Sequence, residues 1–306
     1  MSKEKRGATT PAAIPAYLQE VLKRNLSSSF SKRNPPGGYS TVVPKLCSSK
    51  ELTNVAMIVE HRFAFYYWVA WKKEYCLKHN IDSFSPPNLF TLDTHNDFGG
   101  ACDFSDVNEL LHLNQDNLNE IALFTWGGLR SLNDGHIYPA VMLNLVGNVF
   151  LLTRSTKTKT DCQRKSQIIV DLYGNEHRIE YVRSLKEFEK IYTDLQSFCV
   201  HPFYPYDRET RFYFDIDLDY FFTGRELNKL RQKNEKWIQE FFRKDARAVQ
   251  MILNEAEGIT FAIEPHYTRG LAKSVQQYTA VFKTFFDSDP LDWNDTRWNP
   301  FWQKWH

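Results

Sequence analysis

The chain has 306 residues, 42% of them hydrophobic and 25% charged, with a formal net charge of +1. That length suits one large α/β domain or two modest ones, and the composition is that of a globular protein. The near-neutral balance argues against general attraction to nucleic acid or an anionic membrane surface. The five cysteines, at 47, 76, 102, 162 and 199, are odd in number and form no CxxC pair. This fits reduced thiols in a cytoplasmic protein. No apolar window has the length of a signal peptide or a membrane span.

Residues 1–50 are rich in Ser, Lys and Pro and read as a loosely structured lead-in, with a short helix expected over 15–26. The domain is expected over 51–290. It begins with a buried strand at 55–59 and a helix over 62–79, where Phe63, Tyr66, Tyr67, Ala70 and Trp71 recur at helical spacing. A strand at 89–92 follows, then helices over 105–113 and 117–130. A helix over 137–145 tolerates Pro139 only in its first turn. Next come a strand at 148–152 and a β-hairpin, 168–170 with 179–182, around Gly174 and Asn175. The rest reads as a helix over 184–198, a strand at 211–214, a polar helix over 227–256, a strand at 259–263 and a helix over 271–286. A Trp-rich tail, 291–306, closes the chain with Trp293, Trp298, Trp302 and Trp305. Strands alternating with helices predict a three-layer α/β/α sandwich with a mainly parallel sheet, the hairpin being a small insertion.

In such sheets ligands collect at the carboxyl ends of the strands. Four strands deliver polar residues there: His61 after 55–59, Asp93 after 89–92, Asp215 after 211–214 and Glu264 after 259–263. Asp93, His95 and Asp97 alternate, as do Asp215 and Asp217, so each set would face one way on extended chain. Carboxylates crowded in this way repel unless a cation holds them. His61, Asp93, His95, Asp97, Asp215 and Asp217 therefore form a candidate metal site. This oxygen-rich set with imidazole suits manganese, and less exclusively iron, zinc or magnesium. Two ions roughly 3.5 Å apart would share carboxylates and hold a bridging water of lowered pKa. Asp219 keeps the strand phase and is a candidate for substrate binding or for a supporting hydrogen bond.

Val59-Glu60-His61, Leu92-Asp93-Thr94-His95-Asn96-Asp97-Phe98-Gly99-Gly100 and Asp215-Ile216-Asp217-Leu218-Asp219-Tyr220-Phe221 resemble the UPF0489 family, related to the arginase and ureohydrolase superfamily. The resemblance runs from about residue 55 to 286 and includes peptide arginases, which convert arginine in ribosomally made peptides to ornithine with release of urea. It implies a binuclear manganese centre on His61, Asp93, His95, Asp97, Asp215 and Asp217, with a hydroxide attacking a guanidinium carbon. The departing amine then needs a proton. Glu264 resembles the carboxylate that holds the guanidinium, a planar cation suited to a planar bidentate acceptor. His136 is the preferred proton shuttle, with His112 and His266 as rivals.

The chain departs from the family pattern after the second cluster, where Leu218-Asp219-Tyr220-Phe221-Phe222 stands. It also lacks the short polar signature with which free-arginine enzymes grip the amino acid. The expected partner is thus an arginine-containing peptide, with no nucleic acid or membrane and with homo-oligomerisation left open. Two other readings stand beside it: a deacetylase-like metal amidohydrolase on the same architecture, and a non-catalytic metal-binding interaction module.

Overall fold

The computed structural model describes residues 34–35, 37–81, 84–95, 97–98, 110–129, 135–154, 166–198, 211–224, 230–288 and 297–303. The helix expected over 15–26 lies outside them. Eight strands form the main sheet: β1 (Gly38–Lys45), β2 (Ser48–Ile58), β3 (Asn88–Asp93), β4 (Val149–Thr153), β5 (Gln167–Val170), β6 (Glu176–Val182), β7 (Phe212–Asp217) and β10 (Ala256–Ala262). Their order is β1-β2-β10-β7-β3-β4-β6-β5, and β8 (Phe222–Thr223) pairs with β9 (Arg231–Gln232) in a separate ribbon. The six inner strands run parallel, and β1 and β5 close the edges antiparallel.

Alternation along the strands divides the core into two layers. Leu89, Val149, Leu151, Tyr213 and Ala262 pack towards α1 (Ala64–His79), while Phe90, Leu92, Phe150, Leu152, Phe212, Phe214 and Ile216 pack into the opposite core. That second core also takes up α4 (Leu185–Phe198), α5 (Glu235–Lys244), α6 (Ala246–Asn254) and α7 (Leu271–Phe285). The molecule is thus a three-layer α/β/α sandwich on a mainly parallel sheet. Each fully buried Phe here contributes on the order of 1.5–3 kcal/mol of apolar burial. β10 passes close beneath α1 because Gly258 has no side chain: a methyl group there would overlap the Trp71 ring.

Several boundaries differ from the sequence expectation. The sheet starts at Gly38, inside the segment read as a lead-in, because β1 is an edge strand whose Ser, Thr and Pro side chains need no core. The hairpin β5–β6 is not a separate insertion, since β6 pairs with β4 and extends the main sheet. The long polar helix is two helices that meet at Asp245. The tail is no appendage: Trp298 and Trp302 are buried in the core, with Trp302 donating to Thr284 O at 2.8 Å and Trp298 to Pro44 O at 2.6 Å. In α3 (Ile137–Met142), Pro139 does sit in the first turn, where its missing N–H costs nothing. The stretch beyond α2 (Leu118–Leu123) is a π-helical turn, Phe124–Gly128. Among the described residues, no helix is long and apolar enough to cross a membrane.

Candidate metal centre

β2, β10, β7 and β3 are neighbours, so the four strand ends that carry the polar residues lie side by side at one edge. After β2 the chain turns into a single 3-10 turn, His61–Phe63, which points the His61 ring back over the sheet. A row of three residues in register lies below it: Thr91 on β3, Asp215 on β7 and Thr260 on β10. Asp215 Oδ2 meets His61 Nε2 at 2.6 Å and accepts from Thr91 Oγ1 at 3.0 Å, while Thr260 donates its hydroxyl to the other oxygen. Asp215 is fully buried, and both of its oxygens are engaged by these three partners.

The other face of the ring is different. His61 Nδ1 lies 2.6 Å from Asp97 Oδ2, 3.4 Å from Asp217 Oδ2 and 3.5 Å from Asp93 Oδ2. A second group adjoins the first. His95 Nδ1 lies 3.1 Å from Asp219 Oδ2 and 3.6 Å from Asp93 Oδ1. Asp93 belongs to both groups, one carboxylate oxygen facing each. The first group is buried throughout; in the second, Asp93 and Asp219 are buried and His95 is exposed.

Local backbone chemistry sets these positions. Asp93 ends β3 and accepts the His95 amide at 2.7 Å, so the chain bends there instead of staying extended. Asp97 follows with φ of 21° and Glu264 has φ of 41°, left-handed values that are strained for residues with a side chain. β7 likewise stops at Asp217, whose carboxylate accepts the Asp219 amide at 2.9 Å and starts a 3-10 turn, Leu218–Phe221. That turn carries Asp219 across to β3, where it accepts the Thr94 amide at 3.1 Å. Glu264 sits beside the first group and accepts the His61 amide at 2.7 Å.

Of the expected ligands, the structure brings His61, Asp93, Asp97 and Asp217 into one group, Asp93 and His95 into a second, and His61 and Asp97 with His136 into a third that overlaps the first. Asp215 joins none of them, and Asp219, expected at the substrate, completes the second. The sequence carries all three aspartates in one phase and does not reveal where the strand gives way to the turn. His136 is buried against the site, its ring centroid 4.4 Å from that of His61 and its Nδ1 3.7 Å from Asp97 Oδ2. His112 and His266 are exposed and enter none of these groups.

Six buried carboxylates (Asp93, Asp97, Asp215, Asp217, Asp219 and Glu264) thus face three imidazoles. Burial, then the neighbouring aspartates, push the Asp93 carboxyl well above its ordinary range. Burial and the Asp217 charge do the same to Glu264. Burial and Asp219 lift Asp217 to about 7. Burial opposes charge on His61, but Asp215 and Asp97 outweigh it and raise its pKa well above the usual imidazole value. Asp93 Oδ2 is buried with no hydrogen-bond donor. Acceptor atoms that converge within 4.8 Å of one another, hold protons against repulsion and include one with no donor are suited to divalent cations.

No family model matches the chain, and no curated protein matches it. Among solved structures it is similar to proclavaminate amidino hydrolase from Streptomyces clavuligerus, with 10% identity over 74% of this chain and a TM-score of 0.36. It is also similar to Helicobacter pylori arginase, with 13% identity over 87% of this chain and 76% of that one, again at a TM-score of 0.36. The chain spans 59% of the length of the first of these proteins.

Proposed function

We propose that the protein is a metal-dependent hydrolase of guanidino groups. Its substrate in this reading is a peptidyl arginine, converted to ornithine with release of urea, and its metal is manganese at two ions per chain. The observation that supports it most is Asp93, one carboxylate facing two adjacent His/Asp groups at a parallel-sheet edge. The His61, Asp93, Asp97 and Asp217 group would hold one ion, and Asp93, His95 and Asp219 the other. When bound, such a pair supplies positive charge and a water acidified to hydroxide at neutral pH.

The chain's own residues have distinct tasks in this account. Asp215 fixes the His61 ring by holding Nε2, which leaves Nδ1 as the coordinating nitrogen. Glu264 places a carboxylate beside the first group, where a planar guanidinium is matched by two parallel hydrogen bonds. The strained backbone at Glu264 holds that carboxylate in place before substrate arrives. His136, in contact with Asp97 and His61, carries the proton that the departing amine requires. The membership of the UPF0489 family and a cytoplasmic location belong to the same reading. Cys47 and Cys76 are free thiols, in keeping with the latter.

Manganese-loaded protein, incubated with an arginine-containing peptide, is expected to release urea and leave ornithine, read by mass spectrometry. Asp97→Ala is expected to abolish both. An unchanged peptide mass with the loaded protein would overturn the proposal.

A further inference from the structure

Asp93 and Asp219, the two buried carboxylates of the second group, sit on separate elements, the end of β3 and the turn after β7. One ion can use both only if β3 and the turn are held in a single arrangement. Thr94 supplies part of that hold: its amide donates to Asp219 Oδ1 and its hydroxyl to Asp219 O, each at 3.1 Å. A second connection comes from the neighbouring strand. Arg154, the residue after β4, donates its amide to Asp93 O at 3.2 Å. Its Nη1 donates to Phe222 O at 3.3 Å, one residue past the Leu218–Phe221 turn.

Rings fix the guanidinium between these two contacts. Its carbon lies 4.5 Å from the Tyr220 ring centroid and 5.5 Å from that of Trp237. Tyr220 is buried and follows Asp219 in the turn, and Trp237 belongs to α5, where it stacks on Phe241 with centroids 5.4 Å apart. Phe241 meets Tyr220 in turn at 5.6 Å. The turn is thereby packed on α5, and Arg154 ties it to β3. A planar guanidinium can stack and donate at once, whereas an ammonium is a point charge on a flexible stem. Arg154 is itself no ligand, since a guanidinium has no acceptor atom to offer a cation.

We propose that Arg154 is the positioning residue of the second metal site. Through the Asp93 carbonyl and the Leu218–Phe221 turn it sets the separation of the Asp93 and Asp219 carboxylates. This rests on the two-ion hydrolase reading above. The first group depends on it less, because Asp215 fixes His61 and Asp217 still lies within β7.

The test uses the full chain with Arg154→Lys, which keeps the charge, and Arg154→Met, which keeps the stem without it. Isothermal titration of Asp219→Ala with manganese gives the affinity of the first site alone. In both Arg154 variants one ion is expected to bind with that affinity, and the other 10–100-fold more weakly than in the unaltered protein, the usual cost of losing an outer partner. Added to Asp219→Ala, Arg154→Lys is expected to change nothing further, because it acts through the residue already removed. Electron paramagnetic resonance gives a second readout. At a manganese level that fills both sites of the unaltered protein, the variants are expected to show an isolated ion in place of a coupled pair. Two ions held with unaltered affinity in both variants would overturn the proposal and leave the hydrolase reading standing. An equal loss at both sites, or loss of the fold in both variants by circular dichroism, also overturns it, since Arg154 would then serve the framework as a whole. Unaltered protein that binds fewer than two ions sinks both.

Discussion

Asp215 and His61 face each other at 2.6 Å across the floor of the site, the carboxylate on Nε2 and the ring's Nδ1 turned to Asp97. Three strands cooperate in that contact, since Thr91 and Thr260 hold Asp215 from either side. A carboxylate that orients a coordinating imidazole has a measurable effect on metal affinity, distinct from that of a ligand.

Asp215→Asn keeps the size of the side chain and removes its charge. We expect the protein to fold and to bind manganese 10–100-fold more weakly, the usual cost of losing an orienting partner. Isothermal titration with manganese measures this. Complete loss of one ion per chain would instead make Asp215 a ligand.

Asp219→Ala separates the two groups. It removes one of the three residues around the second site and leaves His61, Asp93, Asp97 and Asp217 in place. Elemental analysis is expected to find one tightly held manganese per chain, against two in the unaltered protein. An unchanged stoichiometry would return Asp219 to a substrate-binding role.

These two variants also mark where the sequence was legible. Four strand ends converging on one edge followed from the alternation of strands and helices, and the structure has that arrangement. The division of labour within Asp215-Ile216-Asp217-Leu218-Asp219 did not follow. Period-two spacing treats the three aspartates alike, but β7 ends at Asp217, and the 3-10 turn that Asp217 caps swings Asp219 to the other group. The same limit applies to Asp93-Thr94-His95-Asn96-Asp97, which converges by bending and not by extension. β1 leaves little trace in the sequence because a solvated edge strand has no hydrophobic alternation to read. The packing of Trp298 and Trp302 is not legible in the sequence because short segments that pack at a distance carry no period at all.

The pH dependence of the metal-free protein has a defined sign. A hydrogen bond to Asp219 lifts His95 to about 9, and burial with Asp219 lifts Asp217 to about 7. Both hold protons in the fold that the unfolded chain has released. The His95 contribution is present in full below its unfolded value of about 6.5 and is lost as pH rises through 9. Asp217 gives a further loss between about 4 and 7. Asp97 works oppositely: burial resists its charge, yet His61 holds it at about 2, so its contribution fails only as pH falls through that value. Thermal unfolding in chelator is expected to show a falling midpoint from pH 5.5 to 8.5, and manganese to reverse the trend by displacing those protons. A chelated midpoint that rises over this range would contradict the assignment.

Glu264→Gln retains an oxygen for the His61 amide and removes the charge facing a guanidinium. A hydrogen bond to a charged group contributes about 1.5–3 kcal/mol, so kcat/KM on an arginine peptide is expected to fall on the order of 10–100-fold. Steady-state kinetics read this, with manganese content unchanged as the control. Unaltered kinetics would remove Glu264 from substrate binding.

The most direct measurement is the manganese content of the full protein after loading and removal of free ion. The account predicts two ions per chain, sharing Asp93. Less than one per chain would contradict it.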